Sequence, residues 1–258
     1  MTGDSLLQAV ADVARVTGDA AARYFRTSVA VETKDDGSPV TIADREAEQV
    51  ARAWIAERFP QDGVLGEEFG ASRSDAGRRW IIDPIDGTKS FVRGVPLWGT
   101  LIAVCEGTEV LAGAAYFPAT AELLAAAPGS GCWWNGARCR VSSVAVMADA
   151  TVLTTDTRFP DQLSRREGWD ALAQRAFVAR SWGDAYGYLL VATGRAEVMV
   201  DPVMNPWDAA PFLPIITEAG GVFTDWAGQR TAFAGNAIAT NAALAANARA
   251  VLGAGAPR

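Results

Sequence analysis

The chain contains no histidine. That absence removes Ser-His-Asp and Cys-His hydrolases, His-ligated zinc sites and phosphohistidine phosphatases. Its chemistry must come from carboxylates, hydroxyls, lysine, thiols or a bound metal. Cysteine is scarce: Cys105, Cys132 and Cys139 are an odd set with no C-x-x-C pair. Such usage fits a reducing compartment better than a disulfide scaffold, although Cys132 and Cys139 are spaced to staple a hairpin. The opening residues, MTGDSLLQAV, lack the basic start and apolar core of a signal peptide, and no apolar run approaches the length of a membrane span. A cytoplasmic protein without membrane contact is expected. Positive charge is outweighed, with 23 Lys and Arg against 30 Asp and Glu for a net charge of −7. A nucleic-acid partner, which needs a basic face, is therefore not expected. Internal repeats, low-complexity tracts and Pro/Gly/Ser linkers are missing as well.

Half of the 258 residues are hydrophobic, enough for a sizeable core in one large domain or two small ones. Leu6, Leu7, Val10, Val13, Ala14, Ala20, Tyr24 and Phe25 recur at helical spacing and predict a helix over 4–26, with Gly18 as the point where it would break. A polar connector over 29–40 has turn chemistry at Asp35-Asp36-Gly37. A second helix over 41–59 is stopped by Pro60. Residues 64–66 read as a short strand, 71–79 as a mobile loop that suits a lid and a simple exposed loop equally, and 80–83 as the next strand. Runs 100–105, 110–117 and 122–127 predict an antiparallel meander, ended by a hairpin signal at Asn135-Gly136. The character changes near residue 145. Beyond it, short strands mix with helices over 164–176, 184–193 and 207–219, and Asn241 caps a last helix. Elements mix without strict alternation, so the fold class is α+β, a single domain of sub-domains 1–145 and 146–258.

The chemistry centres on Trp80 to Phe91, WIIDPIDGTKSF. Asp83, Asp86 and the Ile85 carbonyl can point to one side of a Pro-Ile turn, toward Mg²⁺, which takes octahedral oxygen ligands. The amides of Gly87 and Thr88 then open a helix, where free N–H groups and the dipole favour an anion. Taken alone, D-x-x-D-G is more often an ordinary turn. Its spacing also fails the D-x-D requirement of an aspartate nucleophile.

Three more acids are candidates, each with an ordinary alternative. Glu67, in Gly66-Glu67-Glu68, adds a ligand if its strand lies beside 80–83, and otherwise ends in a solvated turn. Asp208 starts a helix, where an aspartate commonly complements the dipole. Asp44 sits in the first turn of the second helix with the same alternative, and with Thr88 it can orient and deprotonate a water. Lys89 can neutralise a phosphate or simply be solvated.

In their order along the chain, PVTIAD, GEE, WIIDPIDGTKSF and PWDAAPFLPIITEAGG resemble the inositol monophosphatase family of Mg²⁺-dependent, lithium-sensitive phosphatases, over about residues 33–241. The resemblance implies a five-layer αβαβα sandwich of the inositol monophosphatase / fructose-1,6-bisphosphatase type, usually a homodimer, with two or three Mg²⁺ per site. It implies that Glu67 is a metal ligand, that Asp83 bridges two metals with the Ile85 carbonyl on the first, and that Asp86 and Asp208 hold the second. It places the phosphate on Gly87 and Thr88. It makes Thr88, with Asp44 or Glu67, the group that positions water for in-line attack on a phosphomonoester. Crowded carboxylates would be balanced by the cations.

Residues 181–188, SWGDAYGY, and Lys89 with Arg93-Gly94-Val95-Pro96 are similar to the histidinol-phosphate phosphatase branch of that family. Two acids, Asp184 and Asp201, suit a substrate with an amino group and an imidazole, and L-histidinol phosphate has both. Asn205 and Arg93 are further candidate substrate contacts. The alternatives are that Asp184 caps a helix and Asp201 ends a strand. Trp182 is expected to pack rather than to stack on substrate. The same carboxylates suit the hydroxyls of inositol phosphate or fructose bisphosphate. A 3′-phosphonucleotide would want more basic or aromatic residues there. The alternative of another class is a non-catalytic metal- or phosphate-binding module, against which the intact set Glu67, Asp83, Asp86, Thr88 and Asp208 speaks.

Overall fold

Helical and sheet layers alternate five deep in a computed structural model of the chain, which describes residues 3–28, 30–33, 39–159 and 162–257. An eight-stranded sheet runs in the order Ala137–Arg138, Gly131–Trp134, Glu122–Ala127, Glu109–Phe117, Gly99–Glu106, Arg78–Asp86, Gly63–Gly66, Gly70–Ser72. Its strands pair antiparallel except Gly63–Gly66 with Arg78–Asp86, which is parallel. A five-stranded sheet follows, ordered Val178–Arg180, Thr151–Thr154, Val198–Asp201, Ala237–Thr240, Val222–Thr224.

Side-chain alternation explains the layering. In strand Arg78–Asp86, Trp80 and Ile82 pack with Val10, Val13 and Ile55 of the outer helices Gly3–Ala22 and Ile42–Arg58. Ile81, between them, packs the other way, against Leu189, Phe212 and Ile215 of the central helices. Leu153, Met199 and Ala239 of the second sheet join that same central cluster. Their neighbours Val152, Val198 and Ile238 face Trp169, Leu172 and Leu252 of helices Leu163–Arg175 and Ala245–Leu252. Both faces of both sheets are covered, which is why these strands read as continuous apolar runs. Among the described residues no helix is long and apolar enough to cross a membrane.

Several sequence expectations are corrected. The first helix runs Gly3–Ala22 without a break at Gly18. That glycine instead permits close packing, since a Cβ there would lie 2.6 Å from the Tyr116 ring. The 71–79 loop is shorter than expected: Gly70–Ser72 is an edge strand and Arg78 already belongs to the next one. The loop left between them is anchored by Arg73 to the Pro60 carbonyl. The 207–219 helix is two helices, Pro206–Ala209 and Phe212–Glu218, separated at Pro211, which has no N–H to continue the ladder. The turn at Asp35-Asp36-Gly37 lies outside the described residues, and the segments flanking it, Val31–Thr33 and Pro39–Thr41, pair antiparallel. Asn135 and Gly136 both take positive φ, as the two-residue hairpin requires. Next to it Cys132 and Cys139 face each other as free thiols, Sγ to Sγ 3.4 Å.

Candidate active site

The first decisive feature is a bulge. Asp83 pairs with Leu101 and Asp86 with Gly99, so one extra residue sits on the aspartate strand. In a regular strand residues three apart point to opposite faces. The bulge restores parity and turns both carboxylates the same way. Asp208, at the start of a central helix, meets them: oxygens of Asp83, Asp86 and Asp208 lie within 4.8 Å of one another.

Each carboxylate is fixed through an oxygen by a backbone amide. Asp83 Oδ1 accepts from Ile85 N at 3.0 Å, Asp86 Oδ2 from Ala185 N at 2.5 Å and Asp208 Oδ2 from Asn205 N at 2.7 Å. Asp44 Oδ2 accepts from Thr41 N and from Thr41 Oγ1, both at 2.7 Å. Asp44 and Asp208 are each the third residue of a helix capping box. Helix cap and site residue are therefore compatible roles, because a cap uses one oxygen and aims the other. The second oxygen of Asp44 meets the Thr88 hydroxyl at 3.4 Å, which also reaches the Ile85 carbonyl at 3.0 Å. Glu67 N donates to Ile82 O, which sets the glutamate beside the aspartate strand.

Burial and crowding push these acids toward the protonated state. Asp83 rises well above the usual carboxylate range through burial, then through Glu67, Asp86 and Asp208. Asp86 rises likewise through burial, then Asp184 and Asp208. Burial lifts Asp208 to about 7, opposed by the Asn205 amide. A site of this kind is relieved by cations. The donors are hard carboxylate oxygens with no thiolate or imidazole among them, the set that suits Mg²⁺ rather than Zn²⁺. The residues present therefore fit the metal that the sequence reading expects.

The acidic cluster opens into a small cleft lined by Asp86, Thr155, Asp184, Tyr188, Asp201 and Asp208. Gly87, at φ 81°, forms one lip, and a Cβ there would lie 2.9 Å from Leu97 O and 3.2 Å from Asp184 Oδ2. Asp86 of the D-x-x-D-G turn and the second-half acids Asp184 and Asp201 therefore face one space. Residues 3–254 match the description "Inositol monophosphatase family".

The chain belongs to the inositol monophosphatase family. It is 44% identical over 258 residues to a histidinol-phosphatase of Chlorobaculum parvum, covering 99% of this chain and 98% of that one. A histidinol-phosphatase of Mycobacterium tuberculosis is 38% identical over 95% of this chain and 96% of its own. Among solved structures, an IMPase of Thermotoga maritima superposes with a TM-score of 0.87 at 32% identity, covering 97% of each chain. This family member is a phosphoric monoester hydrolase.

The remaining candidates divide. Asp184 occupies the N-cap position of helix Ala185–Ala192 without a side-chain cap bond and at φ 50°, a region that is costly for a residue with a side chain. Burial raises it to about 6, against the pull of Lys89. Asp201 lines the cleft, but its oxygens are engaged by Thr155 N at 3.0 Å and the Tyr188 hydroxyl at 3.0 Å. Asn205 is exposed at the helix start. Arg93 donates to the carbonyl of Lys89 and lines a separate groove with Val31, Thr33 and Pro39. Trp182, expected to pack, is 44% exposed. Sequence reasoning missed Thr155, whose hydroxyl accepts from Asp184 N at 2.8 Å, Tyr188, and the Ala185 amide on Asp86. These contacts join residues 13 to 99 positions apart, and no local pattern marks them.

Proposed function

We propose that the protein is a Mg²⁺-dependent phosphatase converting L-histidinol phosphate and water into L-histidinol and phosphate, acting in the cytoplasm as a homodimer. The observation that carries the substrate is Asp184: an uncapped, backbone-strained carboxylate across a narrow lip from Gly87. It is placed to receive a cationic group on the alcohol side of a bound phosphate ester. The histidinol-phosphatase relatives support the same reading.

Glu67, Asp83, Asp86, Asp208 and the Ile85 carbonyl would hold the metal. Bound Mg²⁺ would supply Lewis-acid charge, making water more acidic and offsetting negative charge on the phosphoryl and leaving oxygens. The amides of Gly87 and Thr88 hold a phosphate oxygen. The left-handed glycine keeps that notch open where a side chain would collide with Leu97 O. The Thr88 hydroxyl donates to Asp44 Oδ1 and so turns its lone pairs to the attacking water. Asp44, raised above its usual range by burial, takes up the proton released. The P–O bond to water forms as the P–O bond to the alcohol oxygen breaks on the far side. The leaving alkoxide takes a proton from solvent water and departs as the alcohol beside Asp184, and the proton on Asp44 is returned to solvent. Asp201 braces that wall through Thr155 and Tyr188.

The test is phosphate release with Mg²⁺ from L-histidinol phosphate, inositol 1-phosphate, fructose 1,6-bisphosphate and 3′-phosphoadenosine 5′-phosphate. The first should turn over fastest, EDTA should abolish release and lithium should inhibit it. Faster turnover of inositol 1-phosphate would overturn the substrate while leaving the reaction class standing.

A further inference from the structure

Glu48 lies in the second helix, outside every motif read from the sequence, yet it is fully buried. Its carboxylate does not point into the acidic cluster. It grips the turn that carries Glu67. Oε2 accepts from Glu68 N at 2.7 Å and Oε1 from Phe69 N at 3.3 Å. The fit against the turn is close: a Cβ on Gly66 would lie 2.0 Å from Glu48 Oε1 and 2.3 Å from its Cδ. Arg52, one helical turn on, completes the clasp. Its Nε donates to Glu48 Oε1 at 2.7 Å, and its terminal nitrogens reach Gly70 O at 2.5 Å and Ser72 Oγ at 3.3 Å.

The clasp matters because of where the turn sits. Gly63–Gly66 and Gly70–Ser72 form the outer end of the eight-stranded sheet, and residues 67–69 are the tip joining them. A hairpin tip at a sheet edge is normally among the most mobile parts of a fold. Here its amides are held by a buried carboxylate on a rigid helix. That same helix starts with the Thr41–Asp44 capping box. One helix therefore sets two corners of the site, Asp44 by its own cap and Glu67 through Glu48.

We propose that Glu48 is a positioning residue for Glu67: by clasping the amides of Glu68 and Phe69 it fixes the turn from which Glu67 reaches Asp83, and so sets the affinity of that corner for a divalent cation. The inference rests on the reading of Glu67 as a metal ligand. Loss of a residue that orients a ligand typically weakens metal binding by about 10- to 100-fold.

The test is calorimetric titration of Mg²⁺ into the purified full chain, for the wild type, Glu67→Gln, Glu48→Gln, the double variant and Gly66→Ala. Gly66→Ala pushes on the same contact from the turn side and carries the test if Glu48→Gln does not fold. Glu48→Gln and Gly66→Ala are each expected to bind Mg²⁺ about tenfold more weakly. The half-saturating Mg²⁺ for phosphate release should rise in parallel, and kcat should recover at saturating metal. The double variant should bind no more weakly than Glu67→Gln alone. A merely structural role would lower the active fraction without moving the half-saturation point, and that result overturns the proposal. So does a double variant in which the two losses multiply. Wild-type binding by Glu67→Gln would instead remove the ligand role of Glu67 itself, a distinguishable failure.

Discussion

On the wall of the cleft that carries the acidic cluster, the fixing contacts are short in sequence. Asp83 is held by an amide two residues away, and Asp44 and Asp208 by amides three away. On the opposite wall they are long: Asp184 and Asp201 both depend on Thr155, 29 and 46 residues away. Asp86 is the joint, a member of the first wall tied by its carboxylate to Ala185 of the second, 99 residues on. The difference separates two tasks. In the proposed function, chemistry common to any phosphate ester would sit on locally determined turns and caps, and recognition of the alcohol on a surface that exists only once the two sheets have packed together.

The largest break should come on the first wall. Asp86→Asn and Asp208→Asn should each lose activity by on the order of 10²–10³-fold, the range seen when one pre-aimed charge-stabilising group is removed. Steady-state phosphate release at saturating Mg²⁺ measures this. Near-wild-type rates would remove both residues from the site. The same substitutions should raise the melting temperature of metal-free protein by several degrees, since each deletes a buried charge that its neighbours repel.

Next comes the second wall. Asp184→Asn should raise KM for L-histidinol phosphate by about 10- to 100-fold, the equivalent of one charge-assisted hydrogen bond. Turnover of inositol 1-phosphate should hardly change. Equal losses on both substrates would show that Asp184 belongs to the reaction wall instead.

A third measurement joins the walls through their shared burial. Asp184 is raised to about 6, and Asp201 and Asp208 to about 7. Between the unfolded carboxylate value near 3.9 and those values the native state binds more protons than the unfolded chain. Metal-free stability must therefore fall as pH rises from about 4 to 7. Thermal melts in EDTA should show that decline, and saturating Mg²⁺ should flatten it through the acids that hold metal. A melting temperature that rises across this window would contradict the assigned burial. The smallest effect should be Arg93→Ala, whose side chain folds back onto the Lys89 carbonyl: KM for L-histidinol phosphate should stay within about twofold, since exposed contacts contribute little.

How much could be read in advance follows the same division. Asp83, Asp86, Thr88 and Gly87 sit in one dozen-residue stretch, and the hairpin at Asn135-Gly136 follows from two adjacent residues. Asp44 and Asp208 were ambiguous between cap and site because sequence shows only that an acid stands in a first helical turn. Geometry shows that the cap leaves an oxygen to spare. The single-helix reading of 207–219 failed because helical periodicity continues across Pro211 although the backbone ladder does not. The break at Gly18 is absent for the opposite reason: a glycine read as a weak point in the helix is where the helix packs tightly against Tyr116, Pro118 and Thr100. Trp182 was expected to pack on hydrophobicity alone, which says nothing about whether a neighbour is there to cover it.

By itself the sequence determined the reaction class and the fold class. The fold class rests on interactions within a few residues, the order of apolar and polar side chains with the turn and cap residues. The reaction class rests on the family resemblance of PVTIAD, GEE, WIIDPIDGTKSF and PWDAAPFLPIITEAGG taken in order. Tertiary structure alone decided which carboxylates share a space, which way Asp184 points and what holds the turn under Glu67. These depend on contacts between distant segments, such as Asp86 to Ala185 and Glu48 to Glu68. Such contacts form only when the central helices are buried between the two sheets and backbone amides are brought to acids far away in the chain.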